Sequence, residues 1–133
     1  MAYADCHEVL SLLENVLEMD RIPEEQRFAV QFKTAKTVHK GIQLQVLNSR
    51  LTALLEKAGI IAVTMKGSAV ARFYPVPEYR KTTDLDLFIA SANDVGKAVR
   101  ILKDNGFASF GKWHANHHIV LVSGKNEVVE LHT

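Results

Sequence analysis

Cysteine is almost absent from this chain. The single cysteine, Cys6, cannot form a disulfide within the chain and cannot build a cysteine-rich zinc site. A chain that does not depend on disulfides is typical of a reducing compartment. We therefore expect a cytoplasmic protein, and a catalytic thiol at Cys6 is not expected because no triad pattern surrounds it.

The chain also lacks an excess of charge and a long hydrophobic run. Its 16 Lys and Arg residues balance 15 Asp and Glu residues, which disfavours a strongly basic nucleic-acid binder but leaves local basic patches open. The longest stretch without these charges, Trp113 to Gly124, is too short and too polar to span a bilayer. Asp5 and Glu8 stand where a signal peptide carries positive charge, so neither a membrane segment nor an export signal is predicted.

The composition that remains is that of an ordinary globular domain. Hydrophobic residues make up 47% of the chain and charged residues 23%, which disfavours intrinsic disorder and a coiled coil over the whole length. A length of 133 residues fits one domain. We expect helices over residues 1–58 and a core over residues 59–133.

Two helices are predicted in the first part. Apolar residues recur at helical spacing over residues 6–19, and a second helix is predicted from Pro23 to Gly59, with a kink or division at Gly41. The apolar side of the second helix is predicted to consist of Phe28, Phe32, Ala35, Ile42, Leu44, Leu47, Leu51, Leu54 and Leu55.

From residue 60 the pattern alternates between strands and helices. A continuous apolar run at residues 60–65 predicts a buried strand, and a capping box at Ser91–Asp94 predicts a helix that Asn105 and Gly106 close. Further strands are predicted at 84–90, 117–123 and 127–132, a short helix at 68–74 and a loop at 75–83. The fold class is therefore α/β or α+β, a mixed β-sheet packed by helices with an N-terminal helical extension.

Two acids lie at one end of an otherwise apolar strand. Asp84 and Asp86 project from one face, because side chains alternate along a strand. Neighbouring carboxylates near a core need compensation, and a hard cation such as Mg²⁺ prefers oxygen ligands. On the strand alone, a metal site and a solvated strand end both remain open.

A turn with small residues follows the first strand. Backbone amides at Gly67 and the hydroxyl of Ser68 can bind a phosphate, with Lys66 supplying charge, although a plain turn with a cap at Ser68 explains the same residues. Arg80 and Lys81 can neutralise phosphate from the following loop, and we favour Arg80.

These segments together resemble the DNA polymerase beta-like nucleotidyltransferase superfamily. They are most similar to a bacterial nucleotidyltransferase-like group with K-G-x-A, R-x-x-x-D-x-D and E-L-H motifs and helices before the core. The matching segments are Met65-Lys66-Gly67-Ser68, Tyr74-Pro75, Arg80, Asp84-Leu85-Asp86-Leu87 and Val129-Glu130-Leu131-His132.

The resemblance implies a Mg²⁺-dependent enzyme that transfers a nucleoside monophosphate from an NTP, with ATP expected, to a hydroxyl on a protein, RNA or small molecule. It implies that Gly67 and Ser68 bind the β- and γ-phosphates. It also implies that Asp84, Asp86 and Glu130 bind two Mg²⁺ ions, with Mn²⁺ as an alternative, and that Glu130 helps to activate the acceptor. The residues alone allow Glu130 to be an exposed acid on an edge strand, but its face, shared with Val128 and His132, can point into the same cleft.

Three further possibilities concern catalysis, self-association and zinc binding. Instead of an enzyme, the same fold can serve as a non-catalytic nucleotide-binding or partner-binding module. Because the sequence ends three residues after Glu130, we expect an incomplete enzyme that self-associates, as a homodimer, through apolar residues of the last strand or the leucine stripe of the second helix. A zinc site built from His114, His117, His118 and His132 is disfavoured by their spacing.

Overall fold

The structure is a computed structural model that describes residues 10–14, 17–110 and 118–133. The first helix among these described residues, α1, is Leu10–Leu13. The predicted helix over residues 6–19 therefore ends early, since residues 17 and 18 are not helical. Its predicted acidic cap lies outside the described residues, as does Cys6.

The second helix, α2, is continuous from Glu24 to Lys57, and its 34 residues span about 51 Å. The predicted division at Gly41 is wrong. A β-carbon there would lie 3.4 Å from the carbonyl oxygen of Glu78, so the glycine lets the loop before the acidic strand pass close to the helix.

The two halves of α2 bury different faces. In the C-terminal half, Leu44, Leu47, Leu51 and Leu55 are buried as predicted. In the N-terminal half the predicted apolar side is wrong, because Phe28 and Phe32 are exposed; Ile42, just past the middle of the helix, is exposed as well. There the buried residues are Val30 and Thr34, and Val30 packs with Leu10 of α1.

The remaining chain forms a five-stranded mixed sheet in the order β1-β2-β5-β4-β3. The strands β2 and β5 are parallel, and the other neighbours are antiparallel. The strands are β1 Ala62–Met65, β2 Leu85–Ile89, β3 Phe107–Ser109, β4 His118–Ser123 and β5 Val128–His132; the helices between them are α3 Lys66–Ala71 and α4 Val95–Asp104. This confirms the mixed α+β fold with a long N-terminal helix.

One face of the sheet carries the core. The C-terminal half of α2 and the apolar side of α4 pack against alternate residues of β2, β4 and β5, which is the arrangement that removes most apolar surface from water. The core strand residues are Leu85, Leu87, Ile89, Ile119, Leu121, Val129 and Leu131. The residues between them, including Asp86 and Glu130, belong to the opposite face.

Strand β1 lies at the edge of the sheet, and its predicted burial is wrong. Ile61, just before it, is 69% exposed and Val63 is 51% exposed. Ile60, which precedes the strand, is buried in the core, and Ala62 packs against the core while partly buried. An apolar run shows a strand but does not show where the strand lies in the sheet.

The start of α4 differs from the predicted capping box. Ser91 makes no side-chain capping bond, and a 3₁₀ turn at Ala92–Asp94 leads into the helix instead. Gly106 has φ of +90°, a left-handed conformation that suits glycine, so the predicted end of the helix is confirmed. The predicted loop over 75–83 contains a 3₁₀ turn at Pro77–Tyr79.

Strand β5 is central, with partners on both sides. Val129 and Leu131 are completely buried, so the prediction that this strand presents an uncovered apolar surface is wrong. The leucine stripe of α2 is likewise packed in the core. Across the described residues, no helix has the length and hydrophobicity that crossing a membrane requires.

Candidate active site

Strand register places the candidate residues side by side. The parallel pairing of β2 with β5 sets Asp86 opposite Glu130, and the antiparallel pairing of β1 with β2 sets Met65 opposite Asp86. Lys66 follows Met65 directly, and His132 lies two residues beyond Glu130 on the same face. Three strands therefore bring four polar side chains together.

These four residues, Lys66, Asp86, Glu130 and His132, form the cluster that we call the Asp86 cluster. Asp86 is 3% exposed, and its Oδ1 accepts a hydrogen bond of 2.7 Å from Lys66 Nζ. The same oxygen lies 2.8 Å from His132 Nε2. Glu130 Oε2 is 3.8 Å from Lys66 Nζ and 3.5 Å from His132 Nε2.

Lys66 supplies positive charge to this cluster. The hydrogen bond to Asp86 raises the pKa of Lys66 above its usual value, and the charges of Asp86, Glu130 and Asp84 add to that effect, while partial desolvation opposes it. Lys66 therefore remains protonated at neutral pH. Its ammonium offsets the repulsion between carboxylates that the sequence alone predicts for the acids.

The donor atoms fit a divalent cation. One ligand atom each from Asp86, Glu130 and His132 lies within 4.8 Å of the others, so a single ion can contact all three after small side-chain movements. Two carboxylates suit Mg²⁺ or Mn²⁺, and the imidazole nitrogen favours Mn²⁺ over Mg²⁺. Lys66 Nζ now contacts the same atoms and would have to move away from them.

The backbone at Lys66 is unusual. Its φ is +48°, a left-handed conformation that costs free energy for a residue with a β-carbon. This residue ends β1 and begins α3, so the unusual conformation occurs where the chain turns beside Asp86. The surrounding contacts have to maintain it.

The turn after Lys66 is packed tightly by the loop that precedes β2. A β-carbon at Gly67 would lie 2.7 Å from the Thr82 methyl group, so any larger residue there would force Thr82 or the turn to shift. Arg80 Nη1 donates hydrogen bonds to the Gly67 carbonyl, at 3.1 Å, and to Thr82 Oγ1, at 3.0 Å. Arg80 thus ties the turn to the loop.

Ser68 lies away from the Asp86 cluster. Its Oγ is buried without a hydrogen-bond partner, and the residue lines a cavity of about 220 Å³ together with Arg72, Arg80 and residues of α2. Two residues along a helix correspond to about 200° of rotation, which separates Ser68 from Lys66. A phosphate at the Asp86 cluster would therefore lie closer to backbone groups of this turn than to the Ser68 hydroxyl.

Asp84 lies just before β2 and is half-buried. It accepts a hydrogen bond of 3.4 Å from Thr83 Oγ1, and it does not belong to the group of ligand atoms around Asp86. Its charge nevertheless acts on Lys66. Of the three predicted acids, Asp86 and Glu130 therefore lie together in the Asp86 cluster, and Asp84 lies outside it.

Of the four histidines weighed as zinc ligands, the structure describes His118 and His132. The ring of His118 lies 5.6 Å from that of His132 across β4 and β5, whereas His114 and His117 lie outside the described residues. Sequence reasoning placed His132 on the same strand face as Glu130 and weighed it as a zinc ligand, but it did not assign His132 to the carboxylate cluster. That shared face was the signal that could have done so.

Comparisons with known proteins give one positive result. No match was found among curated proteins or among solved structures. A family model described as "uncharacterised nucleotidyltransferase" matches residues 1–133, which is the whole chain, and the chain therefore belongs to this nucleotidyltransferase family.

Proposed function

We propose that this nucleotidyltransferase passes a nucleoside monophosphate from a nucleoside triphosphate, ATP first among them, to a hydroxyl acceptor in a Mg²⁺-dependent reaction. The observation that carries the proposal is the pairing of Asp86 with Glu130 across parallel strands, with His132 Nε2 within 3.5 Å of both. The resemblance of the sequence motifs to those of the DNA polymerase beta-like superfamily also supports the proposal. The proposed setting is the cytoplasm, which the single cysteine favours.

In the proposed reaction the acceptor oxygen forms a bond to the α-phosphorus. The bond from that phosphorus to the oxygen bridging to the β-phosphate breaks, and pyrophosphate leaves. Glu130 accepts the hydroxyl proton, since its side chain is 23% exposed whereas that of Asp86 is 4% exposed. Bound divalent cations supply charge neutralisation at the phosphates and a lower pKa of the acceptor hydroxyl.

The chain's own residues hold and orient the reactants. Asp86, Glu130 and His132 would hold one cation, and Asp84 would offer a carboxylate toward a second. With a cation held there, the Lys66 ammonium would be available to neutralise a phosphate oxygen of the nucleotide. Gly67 and Ser68 contact the β- and γ-phosphates through their backbone amides, and Arg80 supports that contact by its hydrogen bond to Gly67.

The proposed catalytic core is residues 59–133, and the helices of residues 1–58 support it. A homodimer through β5 or the leucine stripe is left out of the proposal, because both surfaces are buried within the chain.

A second candidate is a non-catalytic binding module of the same fold. The observation in its favour is that Lys66 Nζ lies 2.7 Å from Asp86 Oδ1 and 3.8 Å from Glu130 Oε2, so a cation of the chain itself neutralises these carboxylates. Such an internally paired cluster would be stable with no substrate.

Transfer of a labelled α-phosphate tests the enzyme against the binding module. The protein is incubated with Mg²⁺ and each of the four NTPs, labelled either at the α- or at the γ-phosphate, together with separate protein, RNA and small-molecule fractions of a cell extract. We expect the α-label to appear in one fraction with release of pyrophosphate. Transfer of the γ-label would indicate a kinase, and nucleotide binding without any transfer would favour the module.

The matched control is Asp86→Asn, which keeps the size of the side chain and removes a metal ligand. It should abolish most of the transfer, because several kcal/mol of transition-state stabilisation are lost with a metal ligand. Equal transfer by the wild-type protein and Asp86→Asn would overturn the assignment of the site.

A further inference from the structure

One side of α2 is apolar and exposed to water over most of its length. Phe28 and Phe32 are 70% and 56% exposed, and their rings stack with centroids 6.2 Å apart. Ile42 is 47% exposed and Val46 is 64% exposed. Together with two exposed residues between them they form what we call the phenylalanine stripe, which consists of Phe28, Phe32, Ala35, His39, Ile42 and Val46.

The stripe has the spacing of a surface that pairs with another helix. Its members are separated by 4, 3, 4, 3 and 4 residues, which is the heptad alternation of a coiled coil. At 3.6 residues per turn they all lie within about 40° of one line along the helix, and they span about 27 Å. The residues that α2 buries within the chain lie on its other side; they are Val30, Thr34, Leu44, Leu47, Leu51 and Leu55.

The exposed area of the stripe suits a second copy of the chain. Its four large side chains leave on the order of 400 Å² of apolar surface in water, and an apolar patch of that size is often an interaction surface. Two copies that pair through the stripe bury about 900 Å² from these side chains alone. Flanking positions bring the total to about 1,200 Å², where specific interfaces begin.

An antiparallel arrangement makes the stripe complementary to itself. Its positions are symmetric about residue 37, so Phe28 faces Val46 of the second copy when the two-fold axis passes there. Phe32 faces Ile42 of the second copy in the same way. Each aromatic ring thus meets a smaller, branched side chain, which allows the two surfaces to interdigitate. A parallel arrangement would place each phenylalanine against its own equivalent.

Charges at the ends of the stripe also favour the antiparallel arrangement. Glu25, in the first turn of α2, comes almost level with Arg50 of the second copy. Arg50 Nη2 lies 3.8 Å from Glu127 Oε2, but its side chain is 52% exposed and its guanidinium has donors for a second carboxylate. The two Lys36 side chains approach each other at the exposed flank, where water screens their repulsion. In a parallel pair the acidic first turns would instead lie side by side.

We propose that this chain forms an antiparallel homodimer in which the phenylalanine stripes of two copies pack together. The Asp86 cluster lies on the sheet face opposite to the one that α2 covers, so pairing through the far side of α2 leaves both clusters open. The dimer does not depend on the proposed function, because it follows from the surface of α2 alone. It also gives a partner to the apolar side that the sequence predicts for this part of the helix.

Sedimentation equilibrium of the whole chain between about 1 and 100 μM tests the interface. The wild type is compared with Phe28→Glu and with the matched control Phe73→Glu, since Phe73 is 75% exposed and lies outside the stripe. We expect a wild-type dimer with a micromolar dissociation constant, at least about tenfold weaker association for Phe28→Glu, and no change for the control. Both variants should keep the wild-type far-ultraviolet circular dichroism spectrum, because both rings are exposed. A wild-type monomer at about 100 μM, or equal weakening by the two variants, would overturn the interface.

Disulfide cross-linking tests the orientation of the two helices. Ala35 faces His39 of the second copy in the antiparallel pair, so Ala35→Cys and His39→Cys are each made in a Cys6→Ser chain, which has no other thiol. We expect oxidised glutathione to cross-link a mixture of the two variants but neither variant alone, because equivalent positions are offset by about 6 Å along the helix axis. Cross-linking of each variant with itself would show a parallel pair. No cross-link in the mixture, at concentrations where the dimer forms, would place the contact elsewhere; either result would overturn the proposed arrangement.

Discussion

Asp86 is the only charged residue that is buried in the described part of the chain, and its partners differ in their exposure. The side chain of Lys66 is 57% exposed, so water can solvate it when it loses Asp86. A buried carboxylate that loses its partner has no such access to water. Substitution of Lys66, which leaves the buried Asp86 carboxylate without its cation, should therefore destabilise the fold more than substitution of Asp86.

We predict that Lys66→Met lowers the metal-free melting temperature by several degrees and that Asp86→Asn lowers it less. Added Mn²⁺ should stabilise Lys66→Met more than the wild type, because no ammonium then competes for Asp86 Oδ1. Thermal unfolding with and without Mn²⁺ measures both effects, with Lys103→Met as the surface control. A larger loss for Asp86→Asn than for Lys66→Met would contradict this account of the pair.

His132 contributes the nitrogen in an otherwise oxygen-rich ligand set. Nitrogen ligands favour Mn²⁺ over Mg²⁺, so the wild-type protein should bind Mn²⁺ more tightly. His132→Gln replaces the nitrogen with an oxygen of similar reach. It should weaken Mn²⁺ binding by at least about tenfold and Mg²⁺ binding less, as measured by calorimetry. An equal loss for both ions would show that His132 only positions Asp86 through their 2.8 Å contact.

At the scale of elements, the turn between β1 and α3 is held in place by the loop before β2. Gly67 leaves room for the Thr82 methyl group, and Arg80 connects the two segments. A tight contact of this kind fixes the position of Lys66 relative to Asp86.

A methyl group added at Gly67 should disturb this contact. We expect Gly67→Ala to destabilise the fold by about 1–3 kcal/mol, because the new β-carbon overlaps the Thr82 methyl group. Thr82→Ser removes that methyl group and keeps the hydroxyl that Arg80 uses, so the double variant should recover most of the loss. Denaturant unfolding of the single and double variants measures the coupling, and purely additive losses would show that the clash lies elsewhere.

At the scale of the whole molecule, local sequence patterns predicted where helices and strands occur better than they predicted which elements pack next to each other. The strands at β2, β4 and β5 follow from alternation, but β3 was missed because three residues carry too little pattern. The burial of β1 was wrong because edge position depends on the order of strands. The predicted buried face of the N-terminal half of α2 was wrong, because only tertiary packing determines which face of this helix meets α1.

The site was predictable to the extent that it follows from motifs. Asp86, Glu130 and Lys66 were predicted from short ordered segments, and the strand register brings Asp86 and Glu130 side by side with Lys66 next to them. The contacts of Lys66 with three partners depend on the register of β1, β2 and β5, which no local pattern contains.

The central claim is that this chain binds a nucleoside triphosphate through divalent cations held by Asp86 and Glu130. Calorimetric titration of each NTP in Mg²⁺ and in EDTA tests it most directly, with Asp86→Asn, Glu130→Gln and the control Lys103→Met. We predict that at least one NTP binds about tenfold or more tightly with Mg²⁺, and that this gain is lost in the two acid variants but kept in the control. Equal affinity in Mg²⁺ and in EDTA for every NTP would contradict the account.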